Sequence, residues 1–226
     1  MTIFLMTYKR WAVLFVLAVC GLLPFGDAIA QDDRIHRECS PNGRLCFGLA
    51  SIDGKPTYWV DRDGEPVIER SKLGFMLRGD GKWGSAIVLE DAEHTSVEET
   101  WEQPWGESRF VMNQYRELRV SMRESRATGR ALGLHVRVFD AGIGFRFEFP
   151  DQGQLADVRI DEELTEFTIA GDAEAWWIPG GEWNRYEYLY KQTPAKEVAT
   201  AHTPITFRRH DGLHIAIHEA ALIDYS

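Results

Sequence analysis

After residue 31 the chain is a succession of short alternating runs, each closed by a glycine-containing turn. Leu45-Cys46-Phe47-Gly48-Leu49 leads into Asp53-Gly54, and the run from Lys55 to Val60 answers it. Asp61-Arg62-Asp63-Gly64 is the next turn. Between Arg116 and Met122 the residues Leu118, Val120 and Met122 share one face, and Glu117, Arg119 and Ser121 share the other. The runs His135–Phe139 and Phe145–Phe149 bracket Asp140-Ala141-Gly142, and Ile205–Arg209 and Leu213–Ile217 bracket Asp211-Gly212. A period of two is the mark of a half-buried strand, and no long 3.6-residue period competes with it. Many short strands joined by such turns predict an all-β fold, a sandwich of antiparallel sheets. The absence of repeats and of Pro/Ser-rich linkers makes one domain the simplest organisation.

The first thirty residues read differently. Lys9 and Arg10 precede the apolar run from Trp11 to Phe25, and Ala28-Ile29-Ala30 is a small-x-small cleavage pattern. This order predicts a secretory signal peptide over 1–30 and a mature domain over 31–226. A membrane anchor is the alternative, but the run is shorter than the roughly 20 residues that span a bilayer. The expected location is therefore exported, periplasmic or secreted, with no membrane contact after cleavage. Cys39 and Cys46 flank a turn, and an oxidising compartment would let them pair across a hairpin. Two unpaired thiols remain the alternative, because cross-strand geometry is demanding.

The formal net charge is −10. Such an acidic surface repels phosphate backbones, and no basic cluster exceeds Arg208-Arg209, so nucleic acid is excluded as an expected partner. His210, His214 and His218 are spaced by four, as metal ligands on a helix would be. Asp211-Gly212 breaks the segment into a hairpin, which makes an ordinary strand pair the better reading. Glu162, Glu163 and Glu166 in DEELTEF read as a solvated strand edge rather than an acid–base pair. Trp101 and Trp105 lie in a loop that composition leaves open between sugar-facing and packed.

The stretch WWIPGGEWNRYEYLYKQTP, Trp176 to Pro194, is the densest in chemistry. Trp176 and Trp177 are adjacent, so a strand turns them to opposite faces. Tyr186, Tyr188 and Tyr190 then alternate with Glu187 and Leu189, which predicts a strand with Glu187 near its start, facing away from the tyrosines. Aromatic platforms with carboxylates at the rim suit pyranose rings, which offer apolar faces and polar edges. A carboxylate can also ligate a hard cation such as calcium. A Trp-rich edge of the core is the competing reading.

Several segments, in order, resemble the N-terminal domain of glycoside hydrolase family 97, exported bacterial α-glucosidases and α-galactosidases. They are Ser40-Pro41-Asn42-Gly43, Ser71-Lys72-Leu73-Gly74, Asp140 to Arg146, Glu163-Leu164-Thr165-Glu166-Phe167, Ala175 to Pro179, Tyr186-Glu187, Thr203-Pro204 and Glu219 to Leu222. The resemblance implies a galactose-mutarotase-like β-super-sandwich packed against a catalytic (β/α)8 barrel. It places the catalytic acid and its partner carboxylate on that barrel. It gives the N-terminal domain part of the active-site wall and, in calcium-dependent members, a glutamate ligand to the ion. Here the matching position is Glu187, while Trp176, Trp177 and Trp183 are the expected sugar-wall residues. The expected partners are an α-linked oligosaccharide and the barrel. This sequence ends before a barrel could begin, so no catalytic residue is expected on it. A stand-alone carbohydrate-binding module and a poorly folding remnant are the competing expectations.

Overall fold

A computed structural model describes residues 34–219, apart from 127, 153, 154, 156 and 183. The expected leader over 1–30 lies outside the described residues. The first sheet is a meander of β1 (Ile35–Cys39), β2 (Leu45–Ile52), β3 (Lys55–Arg62) and β4 (Glu65–Lys72), all antiparallel. Its second and third hairpins turn at the Asp-Gly pairs of the sequence. Ile52 pairs with Lys55 around Asp53-Gly54, and Arg62 with Glu65 around Asp63-Gly64. All four turn residues have positive φ, between 51° and 86°. Two-residue turns with both central residues in that region match the right-handed twist of the flanking strands, and Asp-Gly is among the pairs that adopt them most readily. Cys39 faces Cys46 in the first hairpin and the two are disulfide-bonded.

The short strands β5 (Phe75–Leu77) and β6 (Gly81–Trp83) follow. Next comes a long ribbon of β7 (Ile87–Glu102) and β8 (Phe110–Glu124), extended by β9 (Ala131–Val138) and β10 (Ile143–Glu148) into a second four-stranded antiparallel sheet. The strand β11 (Ile160–Glu163) then returns to pair with β5. Alternation does what it promised. Leu118, Val120 and Met122 of β8 and Leu132, Leu134, Val136 and Val138 of β9 are buried. They join Phe47 and Leu49 of β2, Tyr58 of β3 and Phe75 and Trp83 of the small sheet in one core. Each such side chain contributes about 1.5–3 kcal/mol by leaving water. The architecture is an all-β sandwich, and among the described residues the only helical element is a 3-10 turn over Ala195–Glu197.

The fourth sheet orders β13 (Lys191–Pro194), β12 (Ala173–Trp177), β14 (Ile205–Arg209) and β15 (His214–Ile217). It has a smaller core of Ala173, Ala175, Trp177, Ile205 and Phe207. Ile169 and Ile215 touch both cores and join the fourth sheet to the sandwich. His214 lies on β15 and His210 in the turn before it, as the hairpin reading expected. No group of three or more His, Cys, Asp or Glu side chains that could hold a metal exists among the described residues.

Candidate sugar-wall and carboxylate site

The central strand of the fourth sheet, β12, carries both adjacent tryptophans to opposite faces. Trp177 turns inward and is 3% exposed. Its indole N–H donates to Thr193 Oγ1 at 3.1 Å, and the Lys191 ammonium lies 4.9 Å from its ring centroid. Trp176 is half-buried on the outer face, with the Arg208 guanidinium 5.2 Å over its ring. Trp177 therefore packs into the core, while Trp176 lies on the outer face beneath the Arg208 guanidinium. Trp183 lies outside the described residues.

Beyond β12 the chain stays against the segment leading into β14. Pro179 bridges to Ala201, Gly180 N–H donates to the Thr200 carbonyl at 2.9 Å, and His202 N–H donates to Ile178 at 3.1 Å. This approach favours glycine at 180, because a Cβ there would stand 3.0 Å from the Ala201 carbonyl carbon and the neighbouring backbone would have to give way. The Thr203-Pro204 peptide is cis.

The segment carrying Glu187 departs from the strand expected of it. Residues 185–190 form no regular element, and β13 begins only at Lys191. Alternation of Tyr, Glu and Leu misled because a strand also needs a neighbour to take its backbone hydrogen bonds, and none lies alongside among the described residues. Instead Tyr188 N–H donates to the Tyr186 carbonyl at 3.0 Å, which puts Glu187 at the middle of a three-residue turn. Both neighbouring tyrosines anchor that turn. The Tyr186 hydroxyl donates to the Thr203 carbonyl at 2.9 Å, and its ring packs 4.9 Å from the His202 ring. Tyr188 lies under the Arg185 guanidinium at 4.7 Å. Thr203 Oγ1 in turn donates to the Glu219 carboxylate. The Glu187 side chain is exposed, beside the exposed Tyr186, Leu189 and Tyr190.

This geometry gives an anchored, outward carboxylate next to aromatic surface. An exposed carboxylate is a hard oxygen donor of the kind calcium accepts, but calcium takes six to eight oxygens. One carboxylate could serve only as a single ligand, and a complete site would need further oxygen donors.

The other acidic motif resolves into structure. Glu166 is clasped by Lys72, whose N–H donates to Oε2 at 3.0 Å and whose ammonium donates to Oε1 at 3.2 Å. Glu163 accepts from Thr165 Oγ1 at 2.7 Å. Neither arrangement is an acid–base pair. Trp101 belongs to β7 rather than a loop, and Trp105 at the ribbon tip is 81% exposed, so the ribbon tip is not packed.

Comparison with known proteins agrees with this frame. The family model described as glycosyl-hydrolase 97 N-terminal matches residues 39–226. A glycoside hydrolase family 97 enzyme from Pseudoalteromonas sp. strain K8, solved with panose, is 38% identical over 84% of this chain, with a TM-score of 0.80. The same enzyme with acarbose gives the same identity, coverage and score. A β-arabinopyranosidase structure shares the fold, with a TM-score of 0.67 and 24% identity over 76% of this chain. This chain spans 29% of the length of each of these enzymes. With the match running through the sandwich and the Glu187 segment alike, the chain belongs to the N-terminal domain family of glycoside hydrolase family 97.

Proposed function

We propose that this exported domain forms one wall of the sugar site of an α-glycosidase and supplies Glu187 as one ligand to a calcium ion, while a (β/α)8 barrel carries the chemistry. The observation that carries the reading is the anchored turn: Glu187 is exposed at its middle, and both flanking tyrosines are held. A backbone turn held at Tyr186 fixes where the Glu187 side chain starts, which lowers the ordering cost of binding a cation. In this reading Trp176, with Arg208 stacked on its ring, meets an α-linked oligosaccharide from the outer face and Trp177 backs it from the core, while Trp183, outside the described residues, is the third residue assigned to the wall. The solved relatives with panose and acarbose support an oligosaccharide as the ligand. The Cys39–Cys46 bond supports export, since such bonds persist in oxidising compartments.

Calcium, when bound, would orient sugar groups and steady developing charge. The part of this chain is to hold one oxygen ligand at a fixed place and to shield one side of the sugar from water. In an enzyme joining this domain to a family 97 barrel, Glu187→Gln should weaken calcium binding measured by calorimetry and lower calcium-dependent hydrolysis. Unchanged calcium affinity would remove the role given to Glu187. The isolated domain should bind oligosaccharide weakly, and tight calcium-independent binding to it would favour a stand-alone module instead.

A further inference from the structure

The strand β10 is the edge of the second sheet, paired with β9 alone among the described residues. Phe139 N–H donates to the Gly142 carbonyl, so the hydrogen-bonded pairs of this hairpin step by two from there. They fall at Gly144 with Arg137, Arg146 with His135, and Glu148 with Gly133. Ile143, Phe145 and Phe147 therefore turn their N–H and C=O groups away from β9, toward an edge that no described strand covers.

Side-chain pattern makes this edge complementary to itself. Phe145, Phe147 and Phe149 point inward and remain only half-buried against the core. Arg146 and Glu148 point outward and are exposed. Arg146 makes no ion pair with any described residue. Glu148 uses Oε2 for His135 Nε2, at 2.7 Å. Now consider two copies antiparallel about a two-fold axis at Phe147. Arg146 of each faces Glu148 of the other, twice, and Phe145 faces Phe149. The backbone groups of Phe147 meet each other in hydrogen-bonding register, because they already point outward. Charges on an edge discourage pairing with a second copy where like signs would meet. This edge carries opposite signs at the two positions that a two-fold axis brings together.

We propose that a second copy of this chain pairs with the first through the β10 edge, joining two sandwiches into one continuous antiparallel sheet. Isologous pairing of this kind closes as a dimer and leaves no further β10 edge open.

The test is the mass of the full chain by sedimentation or light scattering across a concentration series, with a thermal melt of each variant to confirm folding. The wild type should be a dimer. Arg146→Glu or Glu148→Arg alone should raise the dimer Kd by about tenfold or more, since each places two like-charge pairs across the seam. The double reversal should restore it. Cysteines report the register independently. Arg146→Cys mixed with Glu148→Cys should cross-link under mild oxidation, and neither should do so alone. A wild-type monomer at all concentrations would overturn the proposal, as it would if the edge takes a strand from another part of a longer enzyme. So would a dimer indifferent to both reversals, or one that gives no mixed cross-link.

Discussion

The Tyr186 hydroxyl donates to the Thr203 carbonyl oxygen across 2.9 Å, and this bond ties the turn bearing Glu187 to the segment that enters β14. Tyr186→Phe removes the bond and keeps the ring against His202. A single hydrogen bond contributes about 0.5–1.5 kcal/mol, and Tyr186 is exposed, so the loss of global stability should sit at or below the low end. Hydrogen exchange at the Tyr188 amide should quicken in the variant. Unchanged protection there would show that the turn is held by something other than Tyr186.

Arg130 and Glu124 form the most deeply placed ion pair among the described residues. The two residues are 6% and 3% exposed, and the guanidinium meets the carboxylate at 2.7 and 2.8 Å. Other guanidinium donors reach the carbonyls of Asp80 and Lys82, which ties the residue before β9 to β6 and the turn leading into it. Arg130→Ala leaves Glu124 buried without its partner, at a cost of about 3–5 kcal/mol. Urea denaturation should show that loss, and Arg130→Ala with Glu124→Leu should recover much of it.

Glu117 predicts a pH dependence. It is 4% exposed, and burial by itself raises its carboxyl. Hydrogen bonds from Arg137 at 3.1 Å and Arg119 at 2.9 Å outweigh that burial and hold it below the ordinary carboxylate value. A carboxyl depressed in the folded state stabilises the fold at pH above its unfolded value, near 4.3, and that contribution is lost as pH falls further. Stability should therefore be flat above about pH 5 and decline below about pH 4. Glu117→Gln should be less stable near pH 7 and lose less on acidification. An identical acid slope in the variant would assign the decline to other carboxyls.

These pairs explain what the sequence could and could not disclose. The alternation of Leu118, Val120 and Met122 located β8, and the Asp-Gly pairs located two hairpins, because both signals are local. Glu117 reads locally as solvent-facing, yet it is buried, with Arg119 of its own strand and Arg137 of β9 closing on it. DEELTEF reads as a free acidic edge until Lys72 of β4 reaches Glu166. The Tyr186–Tyr190 alternation was legible but misleading, since it recorded spacing and could not record the missing neighbour. The choice of Glu187 came from resemblance to a family motif, and the anchored turn that presents it depends on Thr203 and His202, which no local pattern connects to it.

The Cys39–Cys46 bond closes a short loop, with a sequence separation of 7. Cross-linking so short a loop stabilises by about 2–3 kcal/mol on chain entropy. The Cys39→Ser, Cys46→Ser variant should lose that much in denaturant unfolding, and a reductant should lower the wild-type midpoint while leaving the variant unmoved. A wild type insensitive to reductant would contradict the stabilising role.

The central claim is that Glu187 is a calcium ligand presented to a second domain. Its most direct measurement is calcium titration, by calorimetry, of an enzyme joining this domain to a family 97 barrel. Glu187→Gln keeps the side-chain volume and removes the charge, so calcium affinity should fall at least about tenfold, a difference of 1.4 kcal/mol, with the melting temperature of the calcium-free protein unchanged. Equal calcium affinity in wild type and variant would contradict the account.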